Sequence, residues 1–210
     1  MAEHRDGGLP WVAGRLVVTL RSARTALGGA TALLLGGVSA KEEMKAAERA
    51  LHDMRAEIEY LAPDATLDTE EKTPDVRTTI AAVHLGGDAQ RMAELTQQIA
   101  DIAWSRRSRP MPERVRTTVE AMSSGVLSLV ERAGATASLT PADAVGRTAV
   151  LDHDLEAVAG QQRVLDEVLV SGDPSLAEID AVDVALLGRC YEGCARHAVS
   201  AARHVSMLSS

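Results

Sequence analysis

Cys190, Cys194 and His197 stand at i, i+4 and i+7, so a helix would carry two thiols and an imidazole on one face. Thiolates and imidazoles are ligands for zinc, and paired thiols serve redox chemistry. Three ligands on one helix leave the fourth to come from elsewhere, and cysteines inside a helix at this spacing are poorly placed to bridge. They are more simply two small hydrophobes and a histidine packed along an apolar seam. Carboxylates form a second candidate set. Asp88 lies beside the stripe Leu85, Met92 and Leu95, with Gln90, Arg91 and Glu94 close by, and Glu192 follows Tyr191. A carboxylate at the margin of an apolar seam is costly unless it is paired or holds a cation. Two acids four residues apart on a helix would point their oxygens to one side, suited to Mg, Mn, Zn or Fe. Glu94 is such an acid, but the residue four positions earlier is Gln90, a neutral amide. The alternative is a salt bridge within or between helices, for instance Asp88 to Arg91.

Signatures of catalysis are absent from the chain. It contains no phosphate-binding P-loop, no nucleophile elbow, no zinc-protease histidine pair and no dinucleotide fingerprint opening a helix. The Gly-Gly pairs at 28–29, 36–37 and 86–87 lie within or at the ends of helical segments, with no strand before them. They suit close packing or frayed helix ends better than a phosphate cradle. The chain is therefore expected not to be an enzyme.

The elements that must position these residues are written by the prolines. Pro10, Pro63, Pro74, Pro110, Pro112, Pro141 and Pro174 all fall where helices could begin or end. Proline fits the first turn of a helix and breaks an interior. Thr73, Thr140 and Asp173 each precede a proline as cap residues, and Ser39-Ala-Lys-Glu42 has the form of a capping box. Six long antiparallel helices are predicted, at about 11–37, 41–62, 74–107, 113–134, 141–171 and 174–208. Leu85, Met92 and Ile99 repeat every seven residues in the third, with Leu95 and Ile102 beside them. In the sixth, Leu187, Cys194, Ala201 and Leu208 alternate with Val184, Tyr191, Ala198 and Val205. Such stripes need partner helices.

Composition agrees with an all-α chain. Of 210 residues, 46% are hydrophobic and 25% charged, which places the chain among globular proteins. Aromatics are only 2%, with no Phe, so Ala, Leu, Val, Ile and Met must build the core. The net charge of −8 argues against a nucleic-acid surface. Two cysteines make no disulfide framework, and the polar start has no apolar run of a signal peptide, so a cytoplasmic location is expected. The uncharged stretch Thr25 to Ala40 is shorter than the roughly 20 residues a membrane span needs.

The basic, proline-bearing segment Arg106-Arg-Ser-Arg-Pro-Met-Pro112 divides the chain into 1–108 and 109–210, three helices each. At an offset of 102, Leu85-Gly86 faces Leu187-Gly188, Ala93 faces Ala195, Ala100 faces Ala202 and Gln90 faces Glu192. Two tandem three-helix bundles are the expected architecture.

On these residues the chain resembles the PhoU family. His84-Leu-Gly-Gly-Asp88-Ala-Gln-Arg91-Met-Ala-Glu94-Leu-Thr-Gln-Gln-Ile99-Ala is similar to the family signature DLERIGDHAVNIA, and Asp75-Val76-Arg77 resembles the DLR before it. Tyr191-Glu192-Gly-Cys-Ala-Arg196-His197-Ala198-Val199 resembles the second copy, LERIADHAV. Ala185-Leu-Leu-Gly-Arg189 is similar to mycobacterial members, and Asp152-His-Asp-Leu-Glu156 is placed like the acids of the fifth family helix. The resemblance runs in order along almost the whole chain.

It implies tandem three-helix bundles and a non-enzymatic regulator of phosphate uptake and signalling. The implied partners are the ATPase of the phosphate ABC transporter and the phosphate-sensor histidine kinase, with membrane association only through them, and a homodimer. Many family members bind metal through acid-x-x-x-acid repeats, which here implies a divalent Mg, Mn, Zn or Fe ion near Asp88, Glu94 and Glu192. This chain departs at both motifs, with Gln90 and Arg196 where the family has acids. A divergent member with another partner and no role in phosphate control is the alternative.

Overall fold

The computed structural model describes residues 9–36, 42, 45–46, 49–50, 52–53, 56, 76–109, 111–136, 141–171 and 178–208. Among them there are five long helices and no strand: α1 Leu9–Leu34, α2 Val76–Ser105, α3 Glu113–Ala135, α4 Pro141–Val170 and α5 Glu178–Leu208. The described residues between Glu42 and Ala56 also have helical backbone. Most of the predicted second helix, 41–62, lies outside the described residues.

Helix ends follow the local chemistry. Pro10 falls in the first turn of α1, where its missing N–H costs nothing. That helix stops three residues earlier than predicted, because Gly36 takes a left-handed φ of +75° and the Gly36 N–H bonds back to the Leu33 carbonyl. Pro112 caps α3 in an extended conformation, with φ −55° and ψ 141°, and its carbonyl accepts from Arg116 N–H. Between α2 and α3 the chain turns through Arg106–Arg109, closed by Arg109 N–H to the Arg106 carbonyl.

Cross-helix neighbours fix the directions. Arg24 pairs with Glu131 and Gly134 faces Leu20, so α1 and α3 are antiparallel. Arg132 pairs with Asp154 while Gly125 faces Val158, which makes α3 and α4 antiparallel. Arg203 bonds Asp152 and Gly188 faces Gln162, reversing α5 against α4. From Arg106 with Asp180 to Asp88 with His197, α2 and α5 also run in opposite directions. At the 102-residue offset α2 corresponds to α5, so two repeat-equivalent helices lie against each other.

One apolar cluster contains residues from all five helices. Leu85, Met92 and Ile99 of the predicted α2 stripe are fully buried, as are Val184, Leu187, Tyr191, Cys194 and Ala198 of α5. With so few aromatics, density comes from close approach. A Cβ on Gly193 would stand 2.7 Å from Leu95 Cδ1, so glycine lets α2 and α5 meet here without displacing the Leu95 side chain. None of the described helices is long and apolar enough to cross a membrane.

Candidate functional site

The residues singled out by the sequence gather along the seam between α2 and α5. At one end Arg106, just past α2, has a side chain only 3% exposed. Its NH1 donates to Asp180 Oδ1 at 2.5 Å and to Asp183 Oδ2 at 2.9 Å, and Arg109 lies within 3.7 Å of both carboxylates. Burying a guanidinium is costly without counter-charge, and two aspartates one helical turn apart supply it. Arg106 Nε and NH2 are buried and have no hydrogen-bond partner. The sequence signal was present in the i, i+3 spacing of Asp180 and Asp183, but nothing local names their partner.

The middle of the seam is apolar and holds the thiols. Cys190 Sγ donates to Gln98 Oε1 at 3.3 Å, and Cys194 Sγ lies 4.0 Å from the Thr96 hydroxyl. Burial pushes the Cys190 thiol up to about 11 and Cys194 to about 12. Both are free cysteines, and burial favours the protonated thiol over the nucleophilic thiolate. Tyr191 ties the seam to α1. Thr31 donates its hydroxyl proton to the Leu27 carbonyl at 2.8 Å, so at 2.8 Å from Tyr191 it can only accept. The buried Tyr191 O–H is the donor, and desolvation by burial raises its pKa.

At the far end Asp88 is 12% exposed and faces α5 rather than its own helix. His197 donates Nδ1–H to Asp88 Oδ1 at 2.9 Å, since a carboxylate oxygen accepts. His204 Nδ1 lies 3.7 Å from Asp88 Oδ2, and neither of those two buried atoms has a hydrogen-bond partner. His84, one turn before Asp88, stacks on His204 with ring centroids 4.2 Å apart and planes within 1° of parallel. His197 therefore serves Asp88 and takes no part in a site with the cysteines. The expected Asp88–Arg91 bridge is corrected: Arg91 points into solvent and pairs with Glu94 at 2.8 Å.

Glu94 and Glu192 are each held on their own helix. Glu94 accepts from Gln90 Nε2 at 3.1 Å as well as from Arg91 NH1. Glu192 accepts from Arg196 NH2 at 2.7 Å. Asp88, Glu94 and Glu192 do not share a ligand set. Among the described residues no group of three or more His, Cys, Asp and Glu side chains is arranged to hold a metal ion. Of the acids placed like those of the fifth family helix, Asp152 pairs with Arg203 and Asp154 with Arg132.

Among the described residues, fold and site define a helical bundle in which Arg106, Asp88 and Tyr191 make interhelical cross-links. No family model matches the chain. It is 30% identical over 201 residues to the phosphate-specific transport system accessory protein PhoU homolog 1 of Mycobacterium tuberculosis, and equally to that of Mycobacterium bovis. The alignment covers 94% of this chain and 89% of each relative. The chain belongs to the PhoU family, as a divergent, mycobacterial-like member.

Proposed function

We propose that this chain is a non-enzymatic regulator of phosphate uptake and phosphate-responsive two-component signalling. It acts by contact with the ATPase of the phosphate ABC transporter and with the phosphate-sensor histidine kinase. The observation that carries this is the likeness to phosphate-transport accessory proteins along 94% of the chain. Helix faces suit this role, because an amphipathic partner helix can lie in a groove between two others. The functional units are two three-helix bundles, 1–108 and 109–210, joined through α1 with α3 and α2 with α5. The protein works in the cytoplasm and reaches the membrane only through its partners.

A deletion strain tests the proposal. Loss of the chain should raise a phosphate-starvation reporter under phosphate-replete conditions, and re-expression should restore it. An unchanged reporter in a strain lacking every paralogue would favour an interaction bundle with a different partner. Gln90 and Arg196, which replace acids at both family motifs, support that second reading.

A further inference from the structure

The family resemblance implies a divalent cation on the acid-x-x-x-acid faces of α2 and α5, and the donor set in this chain does not fit one. The two faces correspond at the 102-residue offset: Gln90 with Glu192, and Glu94 with Arg196. Each has lost one acid, from opposite ends of the motif. On α2 the first position is an amide whose N–H binds the surviving Glu94, with the Arg91 guanidinium 2.8 Å away on the other carboxylate oxygen. On α5 the last position is itself a cation, Arg196, 2.7 Å from the surviving Glu192. A divalent ion binding either face would find one carboxylate instead of two and a guanidinium already at that carboxylate.

We propose that Gln90 on α2 and Arg196 on α5, which stand where relatives carry metal-binding acids, cap the surviving carboxylates of Glu94 and Glu192, so that this chain keeps both motif faces in a metal-independent state. On α5 the covalently attached Arg196 guanidinium neutralises Glu192 on every molecule, whatever the supply of metal; on α2 the amide of Gln90 takes the place of the second acid beside Glu94. The inference rests on family membership and on these contacts, and it holds whichever partner the protein has.

The test measures metal directly. Purified wild-type protein and the variant Q90E/R196D are compared by elemental analysis and by calorimetric titration with Mn²⁺ and Zn²⁺. Circular dichroism checks folding, which should survive because Gln90 and Arg196 are both exposed. The wild type should show no metal that depends on these faces, and E94Q or E192Q should leave its metal content unchanged. Restoring the second carboxylate should tighten Mn²⁺ or Zn²⁺ binding by at least the roughly 10-fold that even a side chain hydrogen-bonded to a ligand contributes. The single variants R196D and Q90E report the two faces separately should the double variant fold poorly. Wild-type metal that is lost in E94Q or E192Q would overturn the proposal. So would folded Q90E/R196D, R196D and Q90E proteins that bind no better than wild type.

Discussion

The two ends of the α2–α5 seam solve the same problem with different chemistry. At the Arg106 end a permanently charged, buried guanidinium is held between Asp180 and Asp183, with Arg109 outside them. At the Asp88 end the roles are reversed: one nearly buried carboxylate faces His197 and His204, both about 30% exposed. An arginine cannot shed its charge, so removing its acids leaves an uncompensated cation in the interior. An imidazole can hold a carboxylate as a neutral donor, and His197 is 31% exposed. The first end is thus a fixed anchor, and the second is an adjustable contact.

That difference sets an order of effects. Replacing Arg106 by Ala leaves the largely buried Asp180 and Asp183 with only the longer contacts to Arg109, and should lower unfolding stability by about 3 kcal/mol in urea titration. A loss no larger than that at the Asp88 end would erase the distinction between the ends. Next in size is Gly188→Ala between α4 and α5, whose added methyl would overlap the buried Gln162 side chain. It should cost about 1–2 kcal/mol, and shortening Gln162 to Ala in the same protein should recover part of it. At the Asp88 end, His197→Ala removes one hydrogen bond at the solvent margin and should cost about 1 kcal/mol. Arg196→Ala, on the surface, should change stability by less than about 0.5 kcal/mol.

The thiols between the two ends sharpen the comparison by reporting whether the middle opens. In the folded protein Cys190 and Cys194 titrate near 11 and 12, above the ordinary value of 9.0. Groups whose pKa is raised by folding support the native state fully below the unfolded value. Their contribution is lost as pH rises from about 9 through the folded values. At pH 8 an aromatic disulfide reagent should therefore react slowly with the native protein and at once with both thiols in denaturant. Fast reaction in Arg106→Ala but not in His197→Ala would show that the anchor keeps the seam shut.

Much of the fold could be read from the sequence because its signals are local. Prolines cannot enter a helix interior, and they mark the starts of α1, α3 and α4 within a few residues. The seven-residue repeats of α2 and α5 named the buried faces, since burial along a helix is a matter of angle. Glu94 with Gln90 and Glu192 with Arg196 were legible for the same reason, as partners four residues apart. Asp88 was not. Its partner His197 is 109 residues away, and only the antiparallel register of α2 and α5 brings them together. Helix rotation also decides which i, i+3 pair forms, because Asp88 turns inward while Arg91 stays in water beside Glu94. Arg106 looked like part of a basic linker, and its burial depends on where α5 begins.

The central functional claim is contact with the phosphate transport and sensing machinery. In-cell crosslinking of the tagged full-length protein under phosphate-replete conditions, with partners identified by mass spectrometry, tests it most directly. The account predicts crosslinks to the transporter ATPase or the sensor kinase that weaken on phosphate starvation. Crosslinks to neither, with other proteins captured at the same helix faces in both conditions, would contradict it and leave a PhoU bundle serving a different partner.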